Sequence, residues 1–312
     1  MGEGTLGGRE FMRIDGKQIA QEILNLLKKQ VNQSSLHPTL AVILIGDDPA
    51  SISYIKQKQK AADFIGAKII VKKLGKNIGA KDLIKVIRNL NKDPKIHGII
   101  VQLPLPEHLN PSLILTHILP EKDIDGFHPD SLFIPPVAMA VLKIFEKIRK
   151  QKSKNKITTR NSKILVIGRG MTAGKPIAKT LKKLGYKVSV AYSKTTQNKL
   201  VELAKSADAI ISCVGRANMV KSDMVKENAI VIGVGIHREK VHLQDENRVL
   251  AGIPQAGEVN TLKEKLAGDF NEAEISKVAG FYTPTPGGIG PINVACLMEN
   301  LVKASRKTLN PS

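Results

Sequence analysis

Short apolar runs of strand length alternate along this chain with longer stretches whose apolar residues recur at helical spacing, and that order constrains the fold more than any other feature. Parallel strands need a crossover long enough to hold a helix, so strands and helices in strict alternation build a parallel α/β sheet. Residues 19–31 read as a helix, 40–45 as a buried strand closed by Gly46-Asp47-Asp48-Pro49, and 51–65 as the next helix. A strand at 68–71, a helix at 80–90 and a strand at 98–101 complete a β-α-β-α-β unit. Proline stops it at Gln102-Leu103-Pro104-Leu105-Pro106. A helix near 137–149 leads into the polar, lysine-rich residues 150–162, the predicted connection between domains. Further strands are predicted at 163–167, 187–190, 209–211 and 229–232, and an apolar helix at 292–301. The expected architecture is α/β in two domains facing across a cleft: residues 12–137 with 291–312, and a Rossmann-like domain at 138–290. Residues 1–11, glycine-rich before Met12, read as a vector-derived leader.

Composition removes several classes of function. No apolar run approaches the roughly 20 residues that cross a bilayer. The two cysteines, Cys213 and Cys296, are far apart in apolar surroundings, which fits a reducing, cytoplasmic setting and argues against a disulfide frame. Neither they nor the seven histidines show ligand spacing, so no metal is expected. The net charge of +20 raises nucleic acid or a membrane surface as a partner. The basic residues are scattered over many helices, however, and aromatic content is 4%, leaving little for base stacking. A solvated lysine-rich surface and attraction of a small polyanion both explain the charge better than nucleic acid does.

Three segments carry chemistry. The predicted strand at 163–167 runs into Gly168-Arg169-Gly170-Met171-Thr172-Ala173-Gly174, a glycine turn opening a helix as a dinucleotide site requires, with Gly168, Gly170 and Gly174 as its glycines. The next strand ends Ala191-Tyr192-Ser193-Lys194, with no acid for a ribose hydroxyl. Arg169 and Ser193 on that side favour a 2′-phosphate, hence NADP. In the first domain Tyr54 and Lys58 lie one turn apart on one helix face, where a phenol and an ammonium can serve one substrate or be part of a solvated basic face. Gln102 ends a strand where open α/β sheets bind ligands, and Asp123 and Asp125 stand in the loop Lys122-Asp123-Ile124-Asp125-Gly126. The segment Tyr282-Thr283-Pro284-Thr285-Pro286-Gly287-Gly288-Ile289-Gly290-Pro291 prescribes a backbone path suited to close approach by a ligand.

Together these segments resemble the bifunctional methylenetetrahydrofolate dehydrogenase/cyclohydrolase family, in the family's order and over nearly the whole chain after Met12. The resemblance implies oxidation of 5,10-methylenetetrahydrofolate to the methenyl compound with NADP, then hydrolysis to 10-formyltetrahydrofolate. By the same resemblance Lys58 handles protons at the one-carbon bridge, Gln102 is its hydrogen-bond partner, Tyr54 stacks on the folate and Asp125 grips the pterin. Pro286, Gly287 and Gly288 would border the substrate, and Ile236 would join the cofactor site. A cytoplasmic homodimer in one-carbon metabolism serving purine biosynthesis is implied too, acting on folates that can carry a polyglutamate tail. The alternatives are another NADP-dependent dehydrogenase of this layout, or a relative that binds folate or nucleic acid without turnover.

The chain departs from the family pattern in places. Pro135-Pro136-Val137-Ala138 stands where the family has Pro-Cys-Thr-Pro, after a shortened connection from Pro129. Gly170 replaces a serine, Gly233 replaces an aspartate, and Gly257-Glu258-Val259 is taken as the counterpart of a Gly-Asp-Val. Most of these lie towards the cofactor, which predicts a dehydrogenase weaker than the cyclohydrolase.

Overall fold

The computed structural model describes residues 3–6, 9–34, 36–151, 159–242 and 262–309. The proposed counterpart at 257–259 and residues 152–158 of the predicted connection lie outside them. Strands and helices alternate as the sequence predicts. The first sheet holds β3 (Thr39–Ile45), β4 (Lys68–Leu74) and β5 (Gly98–Val101), all parallel, in the order β4-β3-β5. β3 is buried along its whole length because helices cover both faces. Its even-numbered residues Leu40, Val42 and Leu44 meet Ile55, Ala62 and Ile65 of α2 (Pro49–Ile65). Its odd-numbered Ala41, Ile43 and Ile45 meet Leu83, Ile87 and Leu90 of α3 (Ala80–Lys92).

The second sheet has seven strands. Its Rossmann-like part is β6 (Lys163–Ile167), β7 (Lys187–Ala191), β8 (Ala209–Ser212) and β9 (Ile230–Gly233), parallel in the order β9-β8-β6-β7. Beyond β9 the sheet continues through β12 (Phe281–Tyr282) to β2 (Arg9–Arg13) and β1 (Glu3–Leu6). Residues 3–6 and 9–11, read as part of a leader, lie in the sheet's outer antiparallel pair, and Met12 pairs with Phe281 in the second sheet. The two-residue β12 is too short to show a period. The antiparallel pair β10 (Ile236–His242) and β11 (Leu262–Gly268) was also not anticipated.

A layer of helices separates the sheets. Into it go α1 (Gly16–Gln33), α5 (Pro136–Gln151) and the last helix, α9 (Ile289–Leu309). Asp15 starts α1 by accepting from the amides of Lys17 and Gln18, and Ile19, Ile23, Leu27 and Val31 make its buried stripe. The same core takes in Ile164 and Val166 of β6 on one side and Leu40 and Val42 of β3 on the other, so one apolar layer joins both domains. The last helix starts at Ile289 rather than 292, and Asn300 on it donates to the carbonyls of Ile124 and Ile134 at 2.9 Å each. That ties the loop bearing Asp125 to the helix layer.

Candidate active site

The first sheet and the Rossmann-like part of the second each reverse strand order next to their first strand: β3 has β4 on one side and β5 on the other, and β6 has β7 and β8. Ligands of open α/β sheets bind at the carboxyl ends of strands flanking such a switch. Gln102 follows β5 directly, and the glycine turn follows β6.

Asp48 opens α2 by accepting from the Ser51 amide at 2.8 Å, with Pro49 in the first turn. Helical spacing then aims Tyr54 and Lys58 at the end of β5. Lys58 is only 3% exposed, its Nζ donates to Gln102 Oε1 at 3.0 Å, and it lies 4.8 Å from the centre of the Tyr54 ring. Gln102 is oriented in turn by its own Nε2, which donates to the Leu103 carbonyl at 2.9 Å. Burial pushes the Lys58 ammonium below its ordinary range, partly opposed by the Asp125 carboxylate. Burial pushes the Asp125 carboxyl up, opposed by Lys58. The Tyr54 phenol is raised by burial and by Asp125, and Asn293 Nδ2 donates to its oxygen.

The other members of the Lys122–Gly126 loop are structural. Lys122 Nζ donates to the carbonyls of Leu90, Asn91 and Asp93 at 3.2, 2.7 and 2.7 Å, closing the end of α3. Asp123, buried, accepts from the His128 amide at 2.7 Å, and burial lifts its carboxyl to about 6.

Tyr54, Lys58, Gln102 and Asp125 line one cavity of about 560 Å³, and the second domain closes it with Thr172, Val234, Ile236 and Leu266. That volume suits an organic substrate with part of a cofactor. Of the residues predicted to hold a cofactor, Ile236 alone reaches this cavity. The others sit outside it at the ends of β6 and β7. Gly168 has φ +100°, and a Cβ at Gly174 would stand 2.1 Å from the Gly168 carbonyl oxygen, so only glycine lets the turn close onto α6 (Gly174–Lys183). The Arg169 guanidinium lies 4.1 Å from the centre of the Tyr192 ring, beside exposed Ser193. Gly170 has open space where its side chain would be.

The predicted substrate loop does less than expected at the cavity. Pro286, Gly287 and Gly288 do not line it, and Ile289 and Gly290 do. Gly288 packs instead on the start of α1, where a Cβ at Gly16 would lie 1.8 Å from the Gly288 carbonyl oxygen. Burying this backbone between domains is what the glycines allow here. The replacement of aspartate by Gly233 also has a packing partner: a Cβ there would meet the Phe270 ring at 3.1 Å.

Two residues were missed. Asn293 is a lone polar residue in the apolar run Ile292-Asn293-Val294-Ala295-Cys296, a signal the sequence carries. Asp269 is fully buried and accepts from Ser212 Oγ, Val214 N and Arg216 N at 2.6, 3.0 and 2.8 Å. Its local mark is the pair Gly268-Asp269 ahead of the Asn271 helix cap, a Gly-Asp of the kind the family pattern carries and that was assigned above to 257–259.

A Rossmann-like domain and a second α/β domain that share one cavity, with a buried lysine–amide pair on its wall, define an enzyme that works on an organic substrate with a dinucleotide. The chain belongs to the tetrahydrofolate dehydrogenase/cyclohydrolase family: the family's catalytic-domain model matches residues 14–125, and its NAD(P)-binding-domain model matches residues 137–309. The bifunctional protein FolD of Bacillus velezensis is 35% identical over 309 residues, spanning 95% of this chain and 98% of its own. That of Campylobacter jejuni strain RM1221 is 37% identical over 310 residues, spanning 95% and 99%. Among solved structures, the Campylobacter jejuni bifunctional FolD methylenetetrahydrofolate dehydrogenase/cyclohydrolase superposes with a TM-score of 0.81 at 35% identity, over 95% of this chain and 99% of its own. The Trypanosoma brucei enzyme, solved with NADP cofactor and inhibitor, gives 0.82 at 27% identity, over 97% and 99%. The fold class and the family expected from the motifs hold.

Proposed function

We infer that the chain oxidises 5,10-methylenetetrahydrofolate with NADP and hydrolyses the methenyl product to 10-formyltetrahydrofolate, with Lys58 as the proton-handling group. The observation that carries this is the buried Lys58–Gln102 hydrogen bond in the cavity shared by both domains. A lysine held below its ordinary range exchanges protons nearer neutral pH than a solvated one. In the hydrolysis, water adds to the methenyl carbon and passes one proton to Lys58; the bond from that carbon to the ring nitrogen then breaks, the nitrogen takes a proton back, and the adduct's hydroxyl becomes the formyl carbonyl by releasing its proton to solvent. Gln102 holds the Nζ in place through both transfers. Asp125, at the same wall, suits the amino and ring N–H donors of a pterin, and the Tyr54 ring offers it a stacking face.

The glycine turn fits a dinucleotide, since a Cβ at Gly174 would fill it. Gly168, Arg169, Gly170 and Gly174 would hold NADP with Ser193 and Ile236, and the bound nicotinamide supplies the hydride acceptor. Arg169, stacked on Tyr192 beside Ser193, supports the choice of NADP over NAD. With no side chain at Gly170 or Gly233, the dehydrogenase is the weaker of the two activities. Residues 12–137 with 291–312 form the folate-binding part of this reading, and 138–290 the nucleotide-binding part. The last helix begins slightly earlier, at Ile289. Pro286, Gly287 and Gly288 act on the substrate through the path they impose on Ile289 and Gly290.

The assembly proposed is a homodimer. β7 pairs only with β6 among the described residues, and an open strand edge favours a second copy. The free thiols of Cys213 and Cys296 support a cytoplasmic setting. Among the described residues no helix is long and apolar enough to cross a membrane. Absorbance assays with methylenetetrahydrofolate and each nicotinamide cofactor test the function. NADP reduction and methenyl hydrolysis are expected, and absence of either overturns that half. Light scattering tests the dimer.

A further inference from the structure

Asp269 follows β11 directly and has no solvent exposure. Its carboxylate collects three donors from one loop, Ser212 Oγ and Val214 N on Oδ2 and Arg216 N on Oδ1. That loop leaves β8, the strand beside the glycine turn. It is threaded tightly: a Cβ at Gly168 would meet the Cys213 carbonyl oxygen at 3.0 Å, and one at Gly215 the Ile236 carbonyl oxygen at 3.0 Å. Gly215 has φ +69°, and a Cβ at Gly235 would stand 2.3 Å from the Gly215 nitrogen and 2.4 Å from Asp269 Oδ2. The loop after β8 therefore touches the turn after β6 on one side and the turn after β9 on the other, backbone to backbone, over a single buried carboxylate.

We propose that Asp269 is a positioning residue for the dinucleotide, holding the loop Ser212–Arg216 so that Gly168 and Ile236 keep their places at the cofactor site. An ionised carboxylate accepts without donating, which matches three converging donors. An asparagine of the same shape turns an N–H towards one of them and leaves buried donors unsatisfied. None of Ser212–Arg216 lines the cavity, and Tyr54, Lys58, Gln102 and Asp125 all belong to the other domain. The inference rests on the dinucleotide reading above and adds the residue that holds the cradle.

The test compares the parent protein with Asp269→Asn and Ser212→Ala, measuring NADPH binding by its fluorescence and both activities on one preparation. Losing hydrogen bonds to a charged group is worth about tenfold or more. Asp269→Asn is therefore expected to raise the NADPH Kd and the KM for NADP about tenfold or more, with methenyl hydrolysis within about twofold of the parent. Ser212→Ala removes one donor and is expected to shift the same constants in the same direction by less. NADPH binding unchanged in the folded variants, or a parallel fall of both activities, overturns the proposal. Should Asp269→Asn not fold, Ser212→Ala decides alone, and parent-like binding in it overturns the proposal. A parent that does not bind NADPH overturns the dinucleotide reading together with this inference, whereas a parent that binds beside unchanged variants overturns this inference only.

Discussion

On the folate side the cavity is walled by side chains that hold one another: Lys58 on Gln102, Gln102 on the Leu103 carbonyl, Asn293 on Tyr54. The proposed dinucleotide side is made of backbone, with Gly168, Gly174, Gly215 and Gly235 in close approach and exposed Arg169 and Ser193 at its rim. The difference follows the chemistry. A proton-transfer group needs burial and a fixed partner to shift its ionisation, so it must be a side chain enclosed by others. A pyrophosphate needs amide donors and room, so its site must be bare chain, with charge at the edge where a 2′-phosphate ends. Changes on the first side should therefore act on chemistry, and changes on the second on affinity.

The sharpest break in that comparison is Lys58→Met. A thioether of similar length fills the buried slot and cannot exchange protons, so methenyl hydrolysis should fall by about a hundredfold or more. NADPH binding and the circular dichroism spectrum should stay at parent values. Hydrolysis at the parent rate would remove Lys58 from the role proposed for it. Next in size is the pair Arg169→Ala with Ser193→Asp, which removes a charge-assisted contact and adds repulsion. NADP binding should weaken by roughly 2–4 kcal/mol at low salt, less at high salt because the rim is exposed. Titration with both cofactors checks it, and unchanged NADP affinity would show that the 2′-phosphate is read elsewhere.

A pH profile separates the two sides differently. Burial lowers the Lys58 ionisation and Asp125 pulls it back up. In Asp125→Asn the upward pull is gone, neutral lysine prevails to lower pH, and the limb of the hydrolysis profile that belongs to Lys58 should move to lower pH. A limb that stays in place would uncouple the two residues. The smallest effect is expected from Gly170→Ser, in open space and at a backbone conformation without positive φ. A new hydroxyl beside the glycine turn should tighten NADP by about 0.5–1.5 kcal/mol and leave hydrolysis alone. A rise in hydrolysis instead would mean that Gly170 acts on the folate side.

The alternation of runs already determined the class of fold, and the helix carrying Tyr54 and Lys58, the strand ending at Gln102 and the glycine turn all lie where their periods put them. Those are local signals, set by spacings of two, three and four residues. Lys58 and Gln102 announced themselves as chemistry but not as a pair, since 44 residues separate them and their hydrogen bond exists only because β5 ends beside α2. Asn293 finds Tyr54 across 239 residues, and Asp269 finds Ser212 across 57. The Pro-Gly segment read as a ligand loop, yet packing against Gly16 buries Gly288 between domains and leaves the cavity wall to the next two residues. Local sequence determined which backbone each segment takes, because φ/ψ preference and amphipathic period act over a few residues. Only the tertiary structure decided which buried polar groups meet, because a buried donor or acceptor is satisfied by whatever the packed layers bring to it, at any distance along the chain.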